Sequence, residues 1–171
     1  QIQDAGIHDI RGNVVLDRSV FRTVPFDAAA FDAEPLKPYN AGPDGLLLNE
    51  KKIDVRLVPD ESDNTVNVIF EPRLDGVKIT PPLLSNAECD DWKKGIVLQF
   101  DDRHANFDGM YSSACGEKIW SVLPYQMSNT RYFESVFSTL WKEAGGRFNG
   151  KFLDGTVPPD ATKLAEWVSP E

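Results

Sequence analysis

Histidine and cysteine are scarce: the 171 residues hold only His8, His104, Cys89 and Cys115. So small a stock, with no C-x-x-C, gives no support to a zinc or dithiol redox site, and no metal or cofactor is expected. Nucleophile and nucleotide motifs are missing too: there is no G-x-S-x-G elbow, no H-E-x-x-H helix and no P-loop. No run approaches the ~20 apolar residues that cross a bilayer, and no charged-then-apolar leader opens the chain. Basic residues are outnumbered, 18 Lys and Arg against 27 Asp and Glu, for a net charge of -9. Within a Debye length such a surface repels phosphates, which argues against nucleic acid as partner despite a small basic spot at Lys51, Lys52 and Arg56.

Core material is plentiful, with 41% apolar residues, so one α+β domain over residues 1–171 is expected. The two cysteines enclose a loop of moderate length. Bridged, they would stabilise the fold by about 3 to 4 kcal/mol through the unfolded chain; the alternative is two buried thiols in a reducing compartment. The bridged reading places the protein in the periplasm or outside the cell. The start at Gln1 rather than Met is read as processing or trimming of an exported chain, and leaves room for a lipid anchor upstream.

Residues 1–12 read as an irregular arm, followed by strands near 13–16 and 20–24. Prolines 25, 35, 38 and 43 keep 25–45 irregular, apart from one helical turn at 28–31. Ile53, Val55 and Leu57, then Val66, Val68 and Phe70, alternate with polar residues and predict a β-hairpin turning at Pro59–Asn64. A third strand at 77–80 would extend it as a meander. Ser85-Asn86-Ala87-Glu88 fits a capping box and predicts a short helix over 86–94. Ile96–Phe100 reads as a strand covered on both faces, Asp101–Gly116 as a polar stretch, and 118–123 as a strand. Tyr132, Phe133, Val136, Phe137, Leu140 and Trp141 share one stripe, which predicts an amphipathic helix over 130–145 closed by Gly145-Gly146. A strand at 147–153 and a helix at 161–168 complete the reading, giving a mixed or antiparallel sheet of about six to eight strands.

Chemistry concentrates at Phe100-Asp101-Asp102-Arg103-His104, where titratable groups follow a strand end. The strand-end Phe-Asp-Asp resembles that of NodB-like polysaccharide deacetylases, which implies one aspartate as base and the next on a metal; the family's two further histidine ligands have no counterpart here. The strand ending at Asp102-Arg103, the turn at Gly109, the next strand and the helix closed by Gly145-Gly146 resemble small envelope lipoproteins of the YajG and PqiC kind. That resemblance implies an accessory envelope protein without catalysis. Asp60 with Asp63 and Asp90 with Asp91 lack the spacing of a calcium loop. Cys115 could serve as a nucleophile beside His104 only if Cys89 were unpaired.

The sequence therefore leads to a non-catalytic exported binding module, such as an immunity, inhibitor or envelope accessory protein, docking a protein partner that its acidity would make basic. Asp102, Arg103, His104, Tyr111 and Trp120 are its expected binding residues. The alternative is a hydrolase acting on polysaccharide, peptidoglycan or ester through Asp101, Asp102 and His104.

Overall fold

The structure, a computed structural model, describes residues 2–22, 24–166 and 168. In chain order its strands are β1 (Asp9–Ile10), β2 (Val14–Leu16), β3 (Ile53–Asp60), β4 (Thr65–Glu71), β5 (Lys78–Thr80), β6 (Leu83–Ser85), β7 (Ile96–Phe100), β8 (His104–Ser112) and β9 (Lys118–Val122). Helix α1 (Asn129–Glu143) follows, then β10 (Arg147–Phe148) and β11 (Phe152–Asp154). The class is α+β, as the sequence predicts.

The alternation at 53–57 and 66–70 forms the hairpin β3–β4, with Leu57 opposite Val68 and Val55 opposite Phe70. Asn64 takes the left-handed backbone (φ 51°) that its short amide side chain tolerates, and Asp60 Oδ1 accepts from Ser62 N–H at 3.0 Å across the turn. Strand β9 pairs antiparallel with the other edge of β3, Val55 opposite Trp120. A second sheet is centred on β8, which pairs antiparallel with β7 and parallel with β5 and β6. The two sheets share one core. Phe70 of the first lies 6.0 Å from Phe100 and 6.3 Å from Phe107 of the second, ring centre to ring centre, among fully buried Ile53, Val55, Leu57 and Tyr111.

Helix α1 has two apolar faces. Tyr132 and Val136 enter the shared core. Phe133, Phe137 and Trp141 turn to an aromatic stack closed by Phe148 and Phe152, with Phe137 and Phe152 5.6 Å apart and Phe148 and Phe152 5.1 Å apart. Two short parallel ladders, β1 with β10 and β2 with β11, tie the beginning of the chain to this stack.

Several expectations need correction. Residues 86–94 do not form a helix: Ser85 ends β6, and Cys89 is bridged to Cys115 with the Cα atoms 4.9 Å apart, leaving only a tight turn at Trp92–Gly95. A capping box cannot hold a helix when its chain is needed along a sheet edge and at a crosslink. The stretch 101–116 contains the longest strand, β8, whose inward positions Ala105, Phe107 and Tyr111 keep the period of two across Gly109. Gly109 (φ 103°) masks that period, and only glycine fits, because a Cβ there would run into the Gly95 carbonyl oxygen. Strand β7 alternates rather than being covered twice, with Val97 56% exposed. The third strand pairs parallel with β8 instead of continuing the meander: Pro72, directly after β4, has no amide to donate to a ladder, and residues 72–77 carry the chain away to β8. Residues 20–22 and 24 carry no strand, Thr23 being outside the described residues; the span 147–153 splits at Asn149–Lys151 into β10 and β11. No helix occurs at 161–166 or 168, whose side chains are exposed; Trp167 lies outside the described residues.

Candidate functional site

The β7–β8 loop folds because Asp101 holds it. Its Oδ1 accepts from the amides of Arg103 (2.6 Å) and His104 (2.7 Å), and His104 Nδ1 lies 3.0 Å from Oδ2. These bonds, led by the Arg103 amide and then by the imidazole, favour the carboxylate and hold Asp101 below its ordinary pKa. Asp102 points the other way: its carboxylate accepts from Ser128 N–H at 2.7 Å and its carbonyl from Arg131 Nε at 2.8 Å, docking the loop on the start of α1. Ser128 caps that helix, accepting from Arg131 N–H.

Asp101, Asp102, Arg103 and His104 line one wall of a cleft of about 1000 Å³. Phe26 and Asp44 of the irregular segment, Lys51 of the turn before β3, and residues between Leu123 and Asn129 line the rest of it. Lys51 is 8% exposed, and its ammonium donates to the Met127 carbonyl at 2.5 Å. Burial pushes it down to about 8, against the opposing pull of the Asp102 and Asp44 carboxylates. Asn49, Glu50 and Lys51 all have left-handed backbone (φ 49°, 52° and 53°), a strained run for three side-chain-bearing residues. Asp44 is desolvated, yet bonds from Asn129 Nδ2 (2.8 Å), the Leu46 amide (2.7 Å) and Arg18 Nε (2.9 Å) outweigh burial and lower its pKa.

Of the expected site residues, the cleft gathers Asp101, Asp102, Arg103 and His104. Tyr111 is elsewhere, fully buried with its hydroxyl donating to the Gly116 carbonyl at 2.7 Å, and Trp120 is half-buried edge-on to Trp92. Cys115 is committed to the disulfide, which removes it as a nucleophile. Lys51 and Asp44 had no local signal in the sequence, since what makes them unusual is contact with residues 76 and 85 positions away. Chemically the cleft offers an acid–base pair, Asp101 with His104, and fixed charges. Its one serine is occupied as a helix cap. Among the described residues no cluster of three His, Cys, Asp or Glu side chains could hold a metal ion.

The fold is similar to penicillin binding protein 4 (dacB) from Haemophilus influenzae, with a TM-score of 0.66 and 18% identity over 96% of this chain and 36% of that one. A second structure of that protein, complexed with a novel β-lactam, aligns with a TM-score of 0.53 and 15% identity over 96% of this chain and 34% of that one. The chain thus spans about a third of the length of these solved relatives. No curated protein matches it significantly in sequence. Penicillin-binding proteins carry S-x-x-K, S-D-N and K-T-G. The present sequence has no S-x-x-K and no K-T-G; Ser62-Asp63-Asn64 reads S-D-N, but it forms the exposed tip of the β3–β4 hairpin.

The model of the D-Ala-D-Ala carboxypeptidase 3 (S13) family matches residues 1–171. That match overturns the expectation of a non-catalytic immunity, inhibitor or accessory module, which rested on finding no complete catalytic set. The absence of a set from one stretch of chain is no sign of a protein without one. Matched along its whole length, the chain belongs to the D-Ala-D-Ala carboxypeptidase 3 (S13) family.

Proposed function

We propose that the chain works within a serine carboxypeptidase that removes the terminal D-alanine from peptidoglycan stem peptides in the periplasm. The family match over all 171 residues carries this reading. Two further observations support it. The disulfide fits an oxidising compartment, where peptidoglycan is processed. The segment ahead of β3 exposes Val20, Phe21, Phe26, Phe31 and Tyr39, at 73, 63, 55, 84 and 65%, an apolar surface of the kind that a further folded portion covers.

On this reading the serine and lysine of S-x-x-K come from sequence beyond these residues, as the threefold greater length of the solved relatives suggests. The chain's own contribution is the rigid two-sheet core, which presents the cleft and the apolar segment. The test is D-alanine release by the complete polypeptide from a peptide ending in D-Ala-D-Ala. Release that penicillin blocks is expected; a folded polypeptide that releases none and takes up no penicillin would reject the proposal.

A further inference from the structure

Arg18 follows β2, and Asp44 comes 26 residues later near the end of the irregular segment, yet the two side chains meet. Arg18 Nε donates to both Asp44 oxygens, at 3.0 and 2.9 Å, and Nη1 donates to the Asp154 carboxylate at the end of β11. The Arg18 and Asp44 side chains are 16% and 8% exposed, a largely buried pair rather than a surface one. The chain between them is thereby pinched into a loop, residues 19–43. Its limbs close tightly at the neck, where a Cβ on Gly45 would lie 3.1 Å from Val20 Cγ1 and 3.5 Å from the Arg18 Cα.

The same junction fixes the loop to the helix. Asn129 Nδ2 donates to Asp44 at 2.8 Å and Thr130 Oγ1 to Asp154 at 2.8 Å, so the first turn of α1 holds both carboxylates that Arg18 bridges. Farther along, the Leu36 carbonyl accepts from Leu123 N–H at 2.8 Å. The exposed Phe21, Phe26 and Phe31 lie between these two anchors. The loop also supplies Phe26, Asp27 and Asn40 to the cleft, which Asp44 itself lines. Without Arg18, two carboxylates would share the junction, one of them desolvated, and removing one partner of a buried pair is strongly destabilising. Lys51 also attracts Asp44, but its ammonium is tied to the Met127 carbonyl.

We propose that Arg18 is a positioning residue: it latches the neck of loop 19–43 and so sets the loop's share of the cleft and the aromatic surface that the rest of the polypeptide meets. The latch rests on the geometry alone; its effect on turnover rests on the carboxypeptidase reading.

The test compares the complete polypeptide with its Arg18→Gln variant. Hydrogen exchange at the Phe21, Ala33 and Leu46 amides, which are bonded within the segment, should quicken ~10-fold as charge-assisted bonds are lost, while β3 and β8 keep their rates. For a peptide ending in D-Ala-D-Ala, KM should rise about 5-fold with kcat held within about 2-fold, because Arg18 touches no reacting group. Arg18→Lys, a point charge that cannot fork between two carboxylates, should fall between. Adding Asp44→Asn to Arg18→Gln should quicken the loop no further, because both changes break one contact. Unchanged loop exchange, a quickening that spreads through β3 and β8, or an unmoved KM overturns the proposal. An unsubstituted polypeptide that releases no D-alanine rejects the carboxypeptidase reading instead, and the exchange comparison then decides the latch.

Discussion

The two-sheet core and the irregular segment ahead of it are both rich in large apolar residues, and they use them in opposite ways. In the core, Ile53, Val55, Leu57, Phe107 and Tyr111 are at most 2% exposed, and backbone ladders satisfy the chain around them. In the segment, Phe21, Phe26 and Phe31 face outward while polar side chains hold the backbone. Asp32 accepts from Tyr39 Oη at 2.5 Å and Asn40 Nδ2 at 2.8 Å, and the buried Asn40 also donates to the Glu34 carbonyl at 3.1 Å. The Asp32 bonds depress its own pKa, the Tyr39 bond most, and push Tyr39 up to about 12. One region is therefore ordered by burial and the other by local hydrogen bonds and proline. The second keeps its apolar surface available.

Breaking the core should have the largest effect. Phe107→Ala is expected to lose about 3 to 5 kcal/mol in urea unfolding, because the removed ring leaves a cavity between two sheets. Next comes the staple: Cys89→Ser with Cys115→Ser, separated by 26 residues, should lose about 3 kcal/mol, measured under non-reducing conditions.

Lys51 sharpens the comparison where the two regions meet. Its folded pKa, about 8, lies below the ordinary 10.5, so between those values the unfolded chain binds more protons and stability rises with pH. The gain, screened by partial solvent access, should be at most ~2 kcal/mol. It is best followed below pH 10, because Tyr132, pushed up by burial to about 12, acts with the opposite sign above it. Lys51→Met should flatten the rise, and a slope unchanged in that variant would show that Lys51 is not its source. Asp102→Ala should cost ~1 kcal/mol through the lost bond to the Ser128 amide, with the melting temperature as readout. Smallest of all, Phe31→Ser should change the stability of the chain by less than ~0.5 kcal/mol. A loss approaching that of Phe107→Ala would mean that the segment is a second core.

How much of this was legible in the sequence follows from the range of the contacts. The hairpin, β9 and α1 were readable because their periodicity is local, and the disulfide because only one pairing exists. Strand β8 was hidden by Gly109 and by polar residues on its outer face, and its parallel partners β5 and β6 are joined to it by pairings more than 25 residues apart. The Asp101–His104 loop could be read from one stretch of sequence. Lys51 could not, since nothing beside it announces that Met127 and Asp102 will close over it. Enzyme class was read only as the alternative, a hydrolase of polysaccharide, peptidoglycan or ester, because a search for nucleophile motifs can find only those that the residues in view contain.

The proposed carboxypeptidase activity requires a nucleophile that these residues do not supply. Labelling the complete polypeptide with a β-lactam, followed by peptide mapping of the adduct, tests it most directly. A single acylated serine within an S-x-x-K outside residues 1–171 is predicted. An adduct on a serine of this chain, or no adduct on a folded polypeptide, would contradict it.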